Sequence, residues 1–413
     1  MPSPKIAIIG AGPAGCMLGR ILSLSDVPFT IYESDASPNY RSQGGTLDLH
    51  PGTGLTAMKE AQLWTEFLEH ARFDGDYMMM ADKDLKPYIQ MGPSNKLNER
   101  PEIDRFQLRR ILTESLPEGT IKWGHRLQRV EGENTLIFDH TTESGFDLVI
   151  GCEGAWSKVR SYISPVVKPH YTGVGYHRLT ILDAATTTPD LYKTINRGSV
   201  FASSNGQRIA VQQMGDGSIN IGWATRRPEN WTQTCGYNPH NIDQVKKAIL
   251  EEMEDWSPQL RGAIEKADSS VCDPKNLYQI PVGWRWEHRH GATIIGDAAH
   301  LMGPFAGEGV NVAFDDARKL AAAIIRAVQA GGDLGQLDKE VQAFEEEMFP
   351  RMEVYQRQTE DVTKLWFFSE ENMRDVIPKV MLVHSKAKLP AVLYPLAWGL
   401  INSYWFIKTK LFG

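Results

Sequence analysis

The first clear pattern in the chain is KIAIIG at positions 5–10, an apolar run closed by glycine that predicts a short parallel strand buried on both faces. After Gly15 the segment CMLGRILSLS spaces its apolar residues at helical period, and VPFTIYE then predicts a second strand ending at Glu33. Strand, helix and strand within about 30 residues make a βαβ unit. Residues 105–116 (RFQLRRILTESL) resume the helical period and stop at Pro117 and Gly119. A strand pair follows across 121–138, and FDLVI at 146–150 predicts another short buried strand. Between 179 and 226 the pattern changes to alternation, broken at Asn205-Gly206 and Asp216-Gly217, which predicts antiparallel hairpins. The parallel signature returns in ATIIGDAAH, followed by a helix from about Asn311 whose stripe is Val310, Ala313, Phe314, Ala317, Leu320, Ala321 and Ile324. Gly331-Gly332 ends it, and helical sequence continues across 337–385 with Pro350 predicting a break or kink. The fold class is therefore α/β: a Rossmann-like domain split by an inserted antiparallel-sheet domain, with a long C-terminal helix.

Composition narrows the function without setting it. The 413 residues, 42% hydrophobic and 23% charged, suffice for a large core, and a net charge of −7 argues against a nucleic-acid partner, which needs a basic surface. Cys16, Cys152, Cys235 and Cys272 show neither CxxC nor Cys…His spacing, so no metal site or disulfide framework is expected and a reducing, cytoplasmic compartment is the default. The first apolar run leads into glycines and not a cleavage site, so no signal peptide is expected. Residues 389–407 carry no charge and are flanked by Lys386, Lys388, Lys408 and Lys410. Interrupted by Pro390, Pro395, Gly399 and Asn402, this stretch reads either as a membrane-associating tail or as an aromatic-rich tail packed on the body.

The chemistry lies in two glycine-rich turns. Gly10-Ala11-Gly12-Pro13-Ala14-Gly15 satisfies G-x-G-x-x-G between strand and helix, with glycines for the tight turn, for close approach of a pyrophosphate and for helix–strand packing. Glu33, ending the next strand, supplies a carboxylate for a ribose diol. Far downstream, Gly296-Asp297 precedes Pro304-Phe305-Ala306-Gly307-Glu308-Gly309-Val310-Asn311, a segment that a domain binding only NAD has no use for. Asp297 can accept from ribityl hydroxyls, and the turn entering a helix aims N–H groups at the flavin edge that becomes negative on reduction. FAD is the cofactor this pairing implies.

With GAGPAG, DLVIGCEGAWSKVR and GDAAHLMGPFAGEGVN in order, the chain resembles the group A flavoprotein monooxygenases related to para-hydroxybenzoate hydroxylase. Within them it looks most like the tetracycline-inactivating enzymes, through GGTLDLHPGTGLTAM at 44–58, PEIDRFQLRRIL at 101–112 and SKVR at 157–160; the likeness covers most of residues 5–370. The resemblance implies a split FAD-binding domain at 1–70, 101–167 and 281–335, a substrate domain at 71–100 and 168–280, a helical segment at 336–388 and the apolar tail at 389–413. It implies that Glu33 holds the adenosine ribose, that Asp48, Arg105 and Leu127 contact FAD, and that Asp297 holds the ribityl chain. Arg41 is the candidate contact for NAD(P)H, and Arg109, one turn beyond Arg105, faces the same side and could reach the same ligand. Glu153 stands where the family carries aspartate, in a motif tied to NAD(P)H and FAD binding.

The implied reaction uses NAD(P)H and O2 to hydroxylate a small molecule through a C4a-hydroperoxyflavin, so the protein need not provide a nucleophile, a triad or a metal. In the tetracycline-inactivating relatives a glutamine, an arginine and a histidine of the substrate sheet bind the drug; the matching positions here are Arg178, Ser199 and Asn220, none of the same type. The expected substrate is a phenolic, enolic or polycyclic molecule, tetracycline-like or a secondary metabolite, with Pro304 and Gly307 lining its chamber. His300 reads as structural more readily than as a proton carrier. A flavin oxidase or dehydrogenase on the same fold, and a non-catalytic carrier, stay open as alternatives, with the chain a monomer or weak homodimer.

Overall fold

The computed structural model describes residues 3–38, 44–92, 100–331 and 333–411. The chain divides into two compact units. The first comprises Met1–Ala71, Glu99–His170 and Tyr278–Gln356, and the second Arg72–Asn98, Tyr171–Leu277 and Arg357–Gly413.

In the first unit five parallel strands line up as Ala292–Ile294, Leu148–Gly151, Ile6–Ile9, Phe29–Tyr32 and Ile121–Lys122. The strand beginning at Ile6 is central, and chain order runs outward from it in one direction and then the other. Such a reversal opens a crevice at the carboxyl ends of the two strands that flank it, here Ile6–Ile9 and Leu148–Gly151. The apolar runs are buried on both faces, as parallel strands require: Ile6, Ala7, Ile8 and Ile9 are all at most 2% exposed. The helices Pro13–Ser23 and Gly309–Gln329 share this unit's core through Met17, Leu18, Phe314 and Ala317.

The second unit is built on a seven-stranded sheet, ordered Cys272–Gln279, His170–Ile181, Ile219–Arg226, Gln207–Gln213, Ser199–Ser204, Met78–Asp82 and Pro87–Met91. The hairpins fall where the turn residues predict, with Asn205 and Gly206 both at positive φ (49° and 74°). The pairing of Met78–Asp82 departs from the expected antiparallel pattern: it runs parallel to Ser199–Ser204, because it arrives from a distant part of the chain and not through a hairpin. Period-two alternation gives the sheet two unlike faces. Leu179, Ile181, Val200, Ala202, Ile209, Val211, Ile219, Ile221 and Trp223 form the core on one face, together with Val245, Ile249, Leu260 and Ile264 of the helices Ile242–Glu252 and Pro258–Lys266.

Pro350 does not break the helical segment: one helix runs Leu334–Phe367, and the interruption falls instead before the next helix, Met373–Lys386. Pro350 lies on the exposed side, so water can satisfy the carbonyl that the missing N–H leaves unpaired. A short 3-10 turn, Ala391–Leu393, then leads to a final helix, Tyr394–Leu411. Among the described residues no helix is long and apolar enough to cross a membrane.

Candidate cofactor and substrate sites

The glycine fingerprint folds as its spacing demands, and each glycine does something different. Gly10 turns the chain at φ 103°, and a Cβ there would lie 2.7 Å from the Cys152 carbonyl oxygen, so the two strands at the crevice abut. A Cβ on Gly15 would lie 2.0 Å from the Gly10 carbonyl oxygen, which is the close helix–strand approach. Gly12 is different: the nearest protein atom to a Cβ would be 3.9 Å away. Protein therefore leaves open the side of the turn where a phosphate would come, at the N-terminus of the helix Pro13–Ser23. Ala11 and Ala14 are buried within the turn, and Pro13 begins the helix. Glu33 holds the turn from the neighbouring strand end, accepting from the Ala11 N–H at 2.7 Å and from the Asp35 N–H at 2.8 Å.

The helix Arg105–Glu114 connects the two halves of the sequence signature. Arg105 and Arg109 do not share one environment, as their spacing suggested. Arg109 is buried, and its Nη2 donates to Asp35 at 2.9 Å, while its Nε and Nη1 find no partner among the described residues. Arg105 is exposed and near enough to Asp297 to favour that carboxylate's charged form. Two unpaired guanidinium donors in a buried position and an open glycine turn are what a dinucleotide pyrophosphate would complete. On those two observations the residues present fit FAD.

The downstream turn comes to the same place. Gly296 sits at φ 61°, and a Cβ on it would lie 3.3 Å from Ala14 Cβ and 3.4 Å from Ala313 Cβ, so the fingerprint helix, the Gly296-Asp297 turn and the helix Gly309–Gln329 meet there. Asp297 keeps contact with solvent, yet crowding by protein lifts its carboxyl above the usual range, against the pull of His300, Arg105 and Arg160. Arg160 braces this turn by donating to the Ala298 carbonyl at 2.9 Å. His300 is fully buried, its Nε2 paired at 2.5 Å with Asp316, which also accepts from the Gly296 N–H and from Arg351. That is the structural role its position suggested.

Pro304 and Gly307 are both exposed, and Gly307 turns the chain at φ 71° with Asp48 Oδ1 3.7 Å from where a Cβ would be. Gly309 and half-buried Val310 open the long helix. Asn311 is completely buried, and its amide is spent on backbone: Oδ1 accepts from the His50 N–H at 2.7 Å and Nδ2 donates to the Asp48 carbonyl at 2.9 Å. Its side chain thus fixes the loop carrying Asp48. His50, which the sequence did not single out, bridges two carboxylates, Asp48 at 2.7 Å and Glu308 at 3.2 Å. Burial would raise Asp48, but the His50 hydrogen bond, the His50 and Arg100 charges and a backbone hydrogen bond together outweigh it and hold that carboxyl below its usual range. Burial would likewise lower His50, and its two acidic partners raise it instead.

Leu127 is buried in the strand Leu127–Glu131, opposite Phe138. Glu153 caps a helix: its Oε1 accepts from the N–H groups of Lys158 and Val159, the start of Lys158–Ile163, and burial still pushes its carboxyl up. Arg41 lies outside the described residues.

In the second unit Arg178, Ser199 and Asn220 share one sheet face, the one opposite the apolar core. Register places Arg178 across from Gly222, Asn220 across from Thr180 and Gln212, and Gln212 across from Ser199. Asn220 Oδ1 and Arg178 Nε are buried without partners among the described residues, while Ser199 accepts from Gln212 at 3.3 Å. The same face carries Arg208, which sequence reasoning missed. It is 6% exposed, donates to Ser203 at 2.8 Å, and lies with its Cζ 4.4 Å from the Trp366 ring centre and 5.1 Å from that of Phe201. Desolvation pulls its pKa down to about 9, with no carboxylate among the described residues near enough to restore it.

A parallel sheet with a phosphate-type turn at its switch point, and a second glycine turn brought against it, defines a dinucleotide-binding flavoprotein scaffold. The profile of the family described as FAD binding domain matches residues 4–342. The Monooxygenase asqM of Emericella nidulans is 28% identical over 374 residues, spanning 78% of this chain and 84% of that protein. Among solved structures, CtdE in complex with FAD and substrate 4 superposes with a TM-score of 0.76 at 18% identity, covering 99% of this chain and 98% of its own. The tetracycline destructase Tet(51) does so with a TM-score of 0.69 at 17% identity, covering 94% and 97%. The protein belongs to the FAD binding domain family and is an FAD-dependent enzyme of the monooxygenase class.

Proposed function

We propose that the enzyme uses NAD(P)H and O2 to hydroxylate a phenolic, enolic or polycyclic small molecule, one oxygen atom entering the substrate and the other leaving as water. The chemistry FAD supplies when bound is acceptance of a hydride and activation of O2 for transfer to an electron-rich carbon. The residues supply the rest. The open side of Gly12 and the spare donors of Arg109 receive the pyrophosphate, and Glu33 the adenosine ribose. Asp297 takes the ribityl hydroxyls, with Arg105 beside it. Gly307, Gly309 and Val310 offer the N-terminus of a long helix to the ring edge that gains negative charge. Asp48, His50 and Glu308 keep that loop in place.

The observation that carries the substrate class is Arg208: a cation with no counter-charge among the described residues, on a polar sheet face and flanked by two aromatic rings. A phenolate or enolate satisfies the guanidinium, and a planar ring system suits its aromatic neighbours. Arg178 and Asn220 hold unpaired polar atoms on the same face and supply orientation. A polycyclic substrate is in keeping with the likeness to a tetracycline destructase.

The test is rapid mixing of the FAD-loaded enzyme with NADPH or NADH while polycyclic phenols and enols are screened. The proposal expects substrate to speed flavin reduction and the product to gain one oxygen atom derived from labelled O2. Substrate oxidation that proceeds without any nicotinamide, with hydrogen peroxide as the product of O2, would overturn it in favour of an oxidase.

A further inference from the structure

The helix Tyr394–Leu411 is apolar around most of its circumference, the composition of a helix that is covered on all sides. Among the described residues only one side is covered. Ala397 and Trp405 pack on their own unit, where Trp405 Nε1 donates to the Arg374 carbonyl at 2.6 Å and its ring stacks 6.2 Å from that of Tyr88. Around the rest of the helix Leu396, Trp398, Leu400, Tyr404, Phe406 and Ile407 are each more than half exposed. Leu396, Leu400 and Tyr404 step by four, and Leu400 and Ile407 by seven, so these four form one stripe. Contiguous exposure of this kind marks an interaction surface.

Charge says what covers it. Residues 376–413 contain five lysines and no Asp or Glu, in a chain whose net charge is −7. Lys386 and Lys388 precede the helix, and Lys408 and Lys410 lie in its last turn; all but half-buried Lys408 are exposed. An apolar stripe with Trp and Tyr, bracketed by cations, matches the layered chemistry of an anionic lipid surface. A second copy of the chain would bring two such cationic segments together, which their repulsion opposes. We propose that this helix lies in the plane of an anionic membrane surface, its Leu396–Leu400–Tyr404–Ile407 stripe among the acyl chains and its flanking lysines at the headgroups. No crossing is involved.

Vesicle flotation of the full-length, FAD-loaded protein tests this, using phosphatidylcholine alone and phosphatidylcholine with phosphatidylserine at roughly three to one. Wild type is expected to float with the anionic vesicles and far less with the neutral ones. The L400E/I407E variant changes two side chains that are more than half exposed, so it should keep its melting curve and stay in the soluble fraction. Removing three cations in K386Q/K388Q/K410Q should weaken binding to the anionic vesicles about a hundredfold, at roughly fivefold per lysine. The proposal is overturned if wild type does not float, if L400E/I407E floats equally well, or if wild type is a dimer that L400E/I407E splits.

Discussion

Two alanine substitutions six residues or fewer from the first strand should fail in opposite ways. At Gly12 the backbone sits at φ −76° and ψ −179°, extended geometry that any residue adopts, and an added Cβ meets nothing closer than 3.9 Å. Gly12→Ala should therefore fold, and by restricting the unfolded chain should gain about 0.4–1 kcal/mol. Its methyl group nevertheless occupies the side on which a phosphate would approach. Losing one charge-assisted hydrogen bond there costs about 1.5–3 kcal/mol, or roughly 10- to 150-fold in FAD affinity. At Gly15 the added Cβ would lie 2.0 Å from a backbone oxygen, an overlap that no side-chain rotation relieves. Gly15→Ala should lose about 3 kcal/mol or more of stability by overpacking. Thermal melting of the FAD-free proteins reads the first quantity, and quenching of FAD fluorescence on titration reads the second. Unchanged FAD affinity in Gly12→Ala, or a wild-type melting curve for Gly15→Ala, would refute this division of labour.

The Asp48–His50–Glu308 bridge makes a pH prediction. Because His50 is raised in the folded state, its stabilisation is fully present below the unfolded value of about 6.5 and is lost as pH climbs through the folded value. The stability gap between wild type and His50→Gln should thus shrink from pH 6 to pH 9 in denaturant titrations; a gap that widens would contradict it. Arg208→Met removes a desolvated, unpaired cation, so the variant should melt no lower than wild type yet bind acidic substrates at least tenfold more weakly, on the order of 1.5 kcal/mol. Equal KM values would dismiss Arg208 from recognition. Arg109→Gln should weaken FAD binding by about 1.5–3 kcal/mol in equilibrium dialysis and also lower the melting temperature, since it breaks the buried Arg109–Asp35 pair; undiminished retention would mean the spare donors of Arg109 face something else.

Strands and glycine turns were legible because their constraints are local. A run such as residues 6–9, buried on both faces and closed by glycine, has few folds open to it. Helix periodicity also placed Arg105 and Arg109 on one helix, but not in their environments. Which carboxylate each meets depends on segments 35 and 297, far away in the chain. Pro350 misled for a related reason: whether a proline breaks a helix depends on what solvates the carbonyl it strands, and exposure is a tertiary property. Arg208 was within reach of the sequence. The two-residue turn at Asn205-Gly206 fixes the hairpin register, which puts Arg208 opposite Ser203 on the face of Ser199 and Asn220. His50 was not, because its two partners come from a neighbouring loop position and from a residue more than two hundred and fifty places on.

Two distant glycine turns are proposed to hold opposite ends of one cofactor. Calorimetric titration with FAD, ADP and riboflavin, each into wild type, Gly12→Ala and Asp297→Ala, tests that directly. One FAD per chain is predicted, with Gly12→Ala weakening ADP but not riboflavin, Asp297→Ala weakening riboflavin but not ADP, and both weakening FAD. If FAD fails to bind wild type, or if either substitution leaves FAD affinity untouched, the two turns do not form one site.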